Sequence, residues 1–125
     1  MKKVLQLCFP GRLPGLNEYI AACRTNAHQG GKMKRDNQDM VSWYIRQQLK
    51  GYVVRKPVRM VYRWYEKDRR RDLDNISSYG RKVIQDALVA CKVLPDDGWN
   101  YITGFTDEFY TDKKYPRIEV ELWEA

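Results

Sequence analysis

The chain has 125 residues and a formal net charge of +7 at pH 7, with a sequence pI near 9.4. Its 43% hydrophobic and 13% aromatic content is enough for a modest core and argues against a disordered tail. The basic balance favours a polyanionic partner such as a nucleic acid. We expect one domain spanning residues 1–125.

Several classes of protein are excluded by what the sequence lacks. It has no signal peptide and no apolar run near the length of a membrane span, so we expect a cytoplasmic protein with no membrane partner. The cysteines Cys8, Cys23 and Cys91 have no Cys-x-x-Cys spacing, which is typical of reduced, mostly buried thiols in a cytosolic protein. A lone histidine, His28, rules out a His-rich zinc site.

The periodicity of the chain predicts four strands and three helices. Alternating side chains predict strands at residues 3–8, 57–65, 99–105 and 117–123, the last two joined by a charged segment over 106–116. Helical spacing predicts a short helix capped by Asn17 and ended by residues 29–31, a second over 32–49, and a central helix over 76–92 capped by Asp74 or Asn75. These elements predict an α+β domain with a small mixed or antiparallel sheet and helices packed on it.

Charged residues are concentrated at the two ends of the central helix. A basic run leads directly into Asp72 and Asp74; its members are Lys67, Arg69, Arg70 and Arg71. If the chain is extended through residues 71–74, both carboxylates project to the same side, where they would suit Mg²⁺. The flanking cations would bind phosphate groups, so the basic run together with the two aspartates predicts metal-dependent phosphodiester chemistry.

Each part of this pattern also has a simpler interpretation. Asp74 could be an ordinary helix N-cap, and Asp96, Asp97 and Gly98 could form an ordinary turn. The arginines could be a solvated face. Composition and spacing alone leave these alternatives open.

The combination of motifs resembles the RusA family of Holliday junction resolvases. The similarity lies in RRRDLDN (69–75), in Lys82 followed by AspAlaLeu (86–88), and in LeuProAspAsp (94–97). The segment PGRLPGLNEY (10–19) is similar to the family's proline-rich loop. The resemblance covers roughly residues 3–122.

What the resemblance implies is a Mg²⁺-dependent endonuclease that acts as a homodimer and cuts four-way DNA junctions symmetrically. It assigns the metal to Asp72, Asp74 and Asp97, with Asp96 as a neighbour, and adds Lys82 as a catalytic residue. The residues expected to contact DNA are Lys67, Arg69, Arg70, Arg71 and Arg81. A bacterial or phage-infected cell is expected from family association only.

The lysine is the point at which the chain departs from the family pattern. The position three residues after Asn75, where the family has its lysine, is Ser78. Lys82 matches instead when counted back from AspAlaLeu, about 10 Å further along the helix axis than Asn75. Lys82 could therefore serve the reaction or simply pair with Asp86 at i,i+4.

Two alternatives to a junction resolvase remain. The chain could be a non-catalytic nucleic-acid-binding module, or a nuclease that prefers forks or flaps. Three aromatic residues, Tyr62, Trp64 and Trp99, could stack on unpaired bases, although the core is the usual place for such side chains.

Overall fold

The computed structural model describes residues 1–49 and 51–124, and this part of the chain forms three helices and one four-stranded sheet. The elements in chain order are β1 (Lys2–Pro10), α1 (Leu16–Thr25), α2 (Ala27–Gln48), β2 (Val58–Glu66), α3 (Leu73–Ala90), β3 (Ile102–Thr111) and β4 (Arg117–Glu124). The predicted α+β class with a mixed sheet is confirmed.

The sheet has the order β1-β4-β2-β3. Strand β4 runs antiparallel to both β1 and β2, whereas β2 and β3 are parallel. Parallel neighbours need a crossover connection, and α3 provides it. The carboxyl ends of β2 and β3 therefore lie at the same edge of the sheet as the start of α3, the place where α/β units commonly bind ligands.

One face of the sheet carries the core. The buried apolar side chains of β2 are Val58, Met60, Tyr62 and Trp64, which alternate with more exposed neighbours as a half-buried strand requires. The helices cover this face, and α3 comes especially close at Gly80. A Cβ atom there would lie 3.0 Å from the Trp64 ring, so the missing side chain is what lets α3 lie against β2.

The last third of the chain differs from the prediction. Strand β3 begins at Ile102 rather than at Trp99 and continues to Thr111, through residues expected to form a charged connection. It pairs with the whole length of β2, from Val58 opposite Ile102 to Glu66 opposite Thr111. Main-chain hydrogen bonds to a neighbouring strand can form whatever the side chains are. Pairing with β2 therefore extends β3 through a polar segment whose side chains do not predict a strand.

The boundary between the first two helices was also predicted wrongly. The chain breaks at Asn26, whose side chain caps α2 by accepting a hydrogen bond from Gln29 N at 2.9 Å, and residues 29–31 lie inside α2. Gly30 is needed there because a Cβ atom would lie 2.3 Å from Cys23 Sγ. Helix α1 has Gly15, not Asn17, as its N-cap.

The cysteines differ from the expectation as well. Cys8 and Cys23 are exposed and Cys91 is half-buried, and all three are free thiols. Within residues 1–49 and 51–124, no helix is long and apolar enough to cross a membrane.

Candidate functional site

Asp72 and Asp74 lie where the chain turns from the basic run into α3. Asp72 is the N-cap, with φ −72° and ψ 166°, and its Oδ1 accepts a hydrogen bond from Asn75 N at 2.8 Å. The predicted caps, Asp74 and Asn75, are already inside the helix, which begins at Leu73. The chain is therefore not extended through Asp74, and the alternation expected to aim both carboxylates at one point stops at Asp72.

Both carboxylates are nevertheless accessible at this corner. Asp72 and Asp74 are exposed, and among the described residues the Asp74 side chain makes no ion pair or hydrogen bond. The cap bond occupies only Oδ1 of Asp72, which leaves Oδ2 open.

Asn75 joins this corner to the loop that follows β1. Its Oδ1 accepts a hydrogen bond from Asn17 N at 2.8 Å. Gly15 packs on the same amide, since a Cβ atom there would lie 2.6 Å from Asn75 Oδ1. Residues 10–19 and 69–75, both singled out in the sequence, are therefore in contact, which their spacing along the chain does not indicate.

A cleft of about 610 Å³ opens between the start of α3 and the ends of β2 and β3. Its walls combine apolar side chains such as Ile76 and Phe109 with the acids Asp68 and Asp72. Across residues 1–49 and 51–124, no group of three or more His, Cys, Asp or Glu side chains is arranged to hold a metal ion. The cleft thus presents acidic groups to solvent without a preformed cage.

Arg71, which the sequence predicts to contact DNA, makes a largely buried ion pair with Glu66. Its Nε and Nη2 each donate to one oxygen of Glu66 at 2.9 Å, and Nη1 donates to the carbonyl of Leu13 at 3.1 Å. Glu66 is only 5% exposed and has a second cation, Arg12, at 3.4 Å. The sequence did not indicate this pair, because Glu66 is the last residue of a strand and an acidic side chain at that position is usually exposed to solvent.

The rest of the basic run faces solvent. Lys67, Arg69 and Arg70 are exposed, and the Arg70 side chain has a long contact of 3.6 Å to Asp68. We call these three residues the basic loop. It follows β2 directly and precedes Asp72, so its cations lie beside the acidic corner.

Arg81 is also held by the fold. Its Nη1 donates to Asp107 Oδ2, while Asp107 Oδ1 accepts from Trp64 Nε1 at 2.9 Å. The Arg81 guanidinium also lies 4.3 Å from the centre of the Phe105 ring. Asp107 was missed because it falls in the segment predicted to be a connection, and its two partners are far away in sequence.

The second acidic pair, Asp96 and Asp97, lies in the turn that follows α3, where Asp97 meets a lysine of that helix. Lys82 Nζ contacts Asp97 Oδ2 at 3.0 Å and Asp86 Oδ1 at 3.1 Å, and Asp86 is also paired with Lys34 at 2.7 Å. Hydrogen bonds to Asp97 and Asp86 raise the pKa of Lys82. Burial works against ionisation of Asp86, but the bonds from Lys34 and Lys82 outweigh it and lower the pKa of that carboxyl.

This group is separated from the first acidic pair by much of the helix. Lys82 is ten residues after Asp72, which corresponds to about 15 Å at the usual helical rise. The structure therefore brings Lys82 to Asp97, and Asp72 to the same corner as Asp74, but it does not bring the two groups together. Asp96 caps its own turn by accepting from Gly98 N at 2.7 Å.

The donor chemistry at the first corner suits a hard divalent cation. Mg²⁺ binds through one or two carboxylates, keeps several waters and takes further oxygens from substrate phosphates. Asp72 and Asp74 provide two exposed carboxylates of this kind. Asp72 and Asp74 thus have the donor chemistry for such an ion, whereas Asp97 of the same protomer is paired with Lys82, which lies further along α3.

Comparison with known families identifies the class of protein. The family model described as Endodeoxyribonuclease RusA matches residues 14–123 of this 125-residue chain, and the chain belongs to that family. Membership implies an endodeoxyribonuclease of Holliday junctions, a hydrolase that acts on DNA. A comparison with curated proteins gives no match.

Proposed function

We propose that residues 1–125 form one endonuclease domain that resolves four-way DNA junctions by Mg²⁺-dependent hydrolysis, with paired symmetric cuts, in recombination and repair within a bacterial or phage-infected cell. The observation that carries the proposal is the corner at the start of α3. There, two exposed carboxylates, Asp72 and Asp74, follow directly on the exposed basic loop. Nuclease chemistry needs this pairing of anionic metal ligands with cationic phosphate contacts.

The residues of the corner have separate tasks in this proposal. Asp72 and Asp74 hold the cation, and the cap bond from Asn75 N keeps the Asp72 side chain in one orientation. When bound, the cation polarises the scissile phosphate and lowers the pKa of a water molecule. Lys67, Arg69 and Arg70 hold the phosphates on either side of the cut.

The proposal includes a homodimer. A four-way junction is itself pseudo-two-fold, so an isologous pair presents two equivalent sites to two strands. Within one protomer, Asp97 contacts Lys82, which lies about 15 Å along α3 from Asp72. A metal site that uses both acids would need Asp97 from a second copy, which gives a further reason to test assembly.

The proposal is tested by cleavage of a labelled mobile junction, beside a fork and a linear duplex of matched sequence. We expect symmetric paired nicks in the junction with Mg²⁺, none with EDTA, and little cutting of the duplex. Preferential cutting of the fork would replace the junction with a different substrate. Tight junction binding without nicks in any metal would identify a binding module.

Lys82 needs its own test because its ion pairs offer a structural role. Its side chain is 57% exposed, so the pairs with Asp86 and Asp97 should contribute under about 1 kcal/mol to the free energy of unfolding. We expect Lys82→Ala to unfold near the wild-type urea concentration but to cut at least about a hundredfold more slowly, the lower end of the usual range for a positioned proton donor. Cutting at the wild-type rate would leave Lys82 with only its ion pairs.

A further inference from the structure

Trp99 projects into solvent from the turn between α3 and β3. It is 96% exposed, whereas Tyr62 and Trp64, the other aromatic candidates for base stacking, are 0% and 2% exposed. The core interpretation is therefore confirmed for those two residues and fails for Trp99. An indole is large and mostly apolar, so a ligand that covers Trp99 would bury a large apolar surface that the isolated protomer leaves in water.

The turn that carries Trp99 is held by hydrogen bonds on both sides. Gly98 N donates to Asp96 Oδ1 at 2.7 Å, and Tyr101 N donates to the Gly98 carbonyl at 3.1 Å. The Tyr101 carbonyl in turn accepts from Val58 N at 2.8 Å, which ties the turn to the first residue of β2. Trp99 is thus presented from a defined backbone.

A recess of about 220 Å³ lies beside the indole. Phe105, which is 45% exposed, gives it a second aromatic wall. Gln85 and Thr103 donate to the Tyr62 hydroxyl and the Val58 carbonyl, so they offer the recess their side-chain oxygens as acceptors. A planar ring that stacks on Trp99 can extend into this recess, where it would contact the apolar surface of Phe105 and hydrogen-bond acceptors of Gln85 and Thr103.

Both cations and acids lie around this aromatic surface, and Asp97 is one of the residues that line the recess. Lys82 approaches from α3 through its contact with Asp97, and the Arg81 guanidinium lies over Phe105. Arg59 Nη2 donates to Thr106 Oγ1 at 3.1 Å on the adjoining stretch of β3. Arg81 is paired with Asp107, and Lys82 with Asp86 and Asp97, so backbone phosphates of a base bound at Trp99 would meet these cations by sharing them with those carboxylates.

The chemistry of the surroundings favours a nucleobase over a protein partner. Protein interfaces use contiguous apolar patches, whereas the chain neighbours of Trp99 include Asp96, Asp97 and Asn100. Single aromatic side chains within a cationic surface are the usual stacking platforms for unpaired bases. The net charge of +7 agrees with a polyanionic partner.

We propose that Trp99 is a stacking platform for an unpaired base at the branch point of DNA, at a place separated from Asp72 of the same protomer by the length of α3. The inference rests on the proposed junction-directed function and adds a residue that selects branched over linear DNA. In this role Trp99 positions the substrate and takes no part in hydrolysis.

The test measures binding in EDTA, so that it does not depend on cleavage. The probes are a four-way junction with 2-aminopurine at the branch point and a linear duplex of the same sequence. We expect Trp99→Ala to weaken junction binding by between about fivefold and one hundredfold, the range for loss of one stacked base, and to leave duplex binding within about twofold. The bound 2-aminopurine should be quenched by wild type and brighter with Trp99→Ala.

Two variants make the result specific. Trp99→Phe keeps an aromatic face and should retain most of the junction preference. Trp43→Ala removes another exposed tryptophan, 56% exposed on α2, and should bind both DNAs like wild type. Trp99→Phe should leave the unfolding temperature unchanged, because Trp99 is almost fully exposed. Trp43→Ala should lower it slightly, because the Trp43 ring packs edge-on against Tyr44, at 5.0 Å between ring centres.

Failure of this inference is distinguishable from failure of the proposed function. Equal weakening of junction and duplex binding, or none at all, overturns the stacking role while cleavage by wild type in Mg²⁺ still stands. A Trp99→Ala protein that sediments as a smaller species than wild type would overturn it too, by assigning Trp99 to an interface between copies. Wild type that binds the junction and shows quenching but never cuts would keep the platform and reject the nuclease mechanism.

Discussion

Asp74→Asn should abolish cleavage of a four-way junction in Mg²⁺ while leaving junction binding largely intact. The exposed Asp74 carboxylate is one of two proposed metal ligands, and metal-ion stabilisation of the transition state is worth several kcal/mol. We therefore expect the rate to fall by at least about a thousandfold. Single-turnover cleavage and an EDTA binding assay, run on the same preparation, measure the two effects separately.

Asp72→Asn should have the same effect on cleavage for the same reason. This variant is informative because asparagine is as good an N-cap as aspartate, so the bond to Asn75 N can be kept. Asp72→Ala removes the cap as well and should cost about 1 kcal/mol of stability. Comparing the two variants separates the helix cap from the metal ligand.

Asp36→Asn provides the matched control for both. Asp36 is an exposed aspartate on α2 whose ion pair is a local i,i+4 contact with Lys32. The substitution changes net charge by the same amount but lies far from the corner in sequence, so it should leave cleavage and stability near wild type.

If Asp74→Asn, like Asp36→Asn, cut the junction at the wild-type rate, Asp74 would not be a metal ligand.

Arg71→Ala should produce the largest loss of stability among the basic residues tested, about 3–5 kcal/mol, because it strands a buried carboxylate. Glu66 is 5% exposed and would lose both short hydrogen bonds, keeping only Arg12 at 3.4 Å. Urea unfolding measures the change, as a lower midpoint with an unaltered slope. Arg71→Lys should restore only part of it, since an ammonium cannot make the paired bonds.

Arg69→Ala is the matched control from the exposed basic loop. It should unfold like wild type but weaken DNA binding, and the slope of log K against log salt should fall by about 0.9 when one cation no longer neutralises a phosphate. The two variants therefore divide the run into a structural arginine and a DNA-contacting one. If Arg71→Ala were as stable as wild type and bound DNA as weakly as Arg69→Ala, the expectation from the sequence would be correct and the ion pair unimportant.

Which basic residues face solvent could not be derived from the sequence. Arg71 and Arg69 stand two positions apart in one charged run, yet Arg71 meets Glu66 and Leu13 while Arg69 is exposed. Similarly, Arg81 meets Asp107 across the crossover. Such pairs depend on how α3 lies on the sheet, and periodicity carries no information about a partner on another element.

Elements with local patterns could be derived from the order of residues alone. The alternation of β2, the apolar stripe of α3 and the order of the spaced motifs identified the α+β class and the family, and the family match over residues 14–123 confirms the latter. Side-chain alternation and helical spacing are set by neighbours along the chain, so they can be read directly.

Features that depend on distant partners emerged only from the three-dimensional arrangement. Parallel pairing with β2 extended β3 through a polar segment, and the start of α3 at Leu73 made Asp72 the cap. The length of α3 separated Asp97 from Asp72, and the turn at Gly98 left Trp99 in solvent. Each of these outcomes follows from main-chain hydrogen bonding and packing between elements, which act across the chain and leave no repeat or spacing in the sequence.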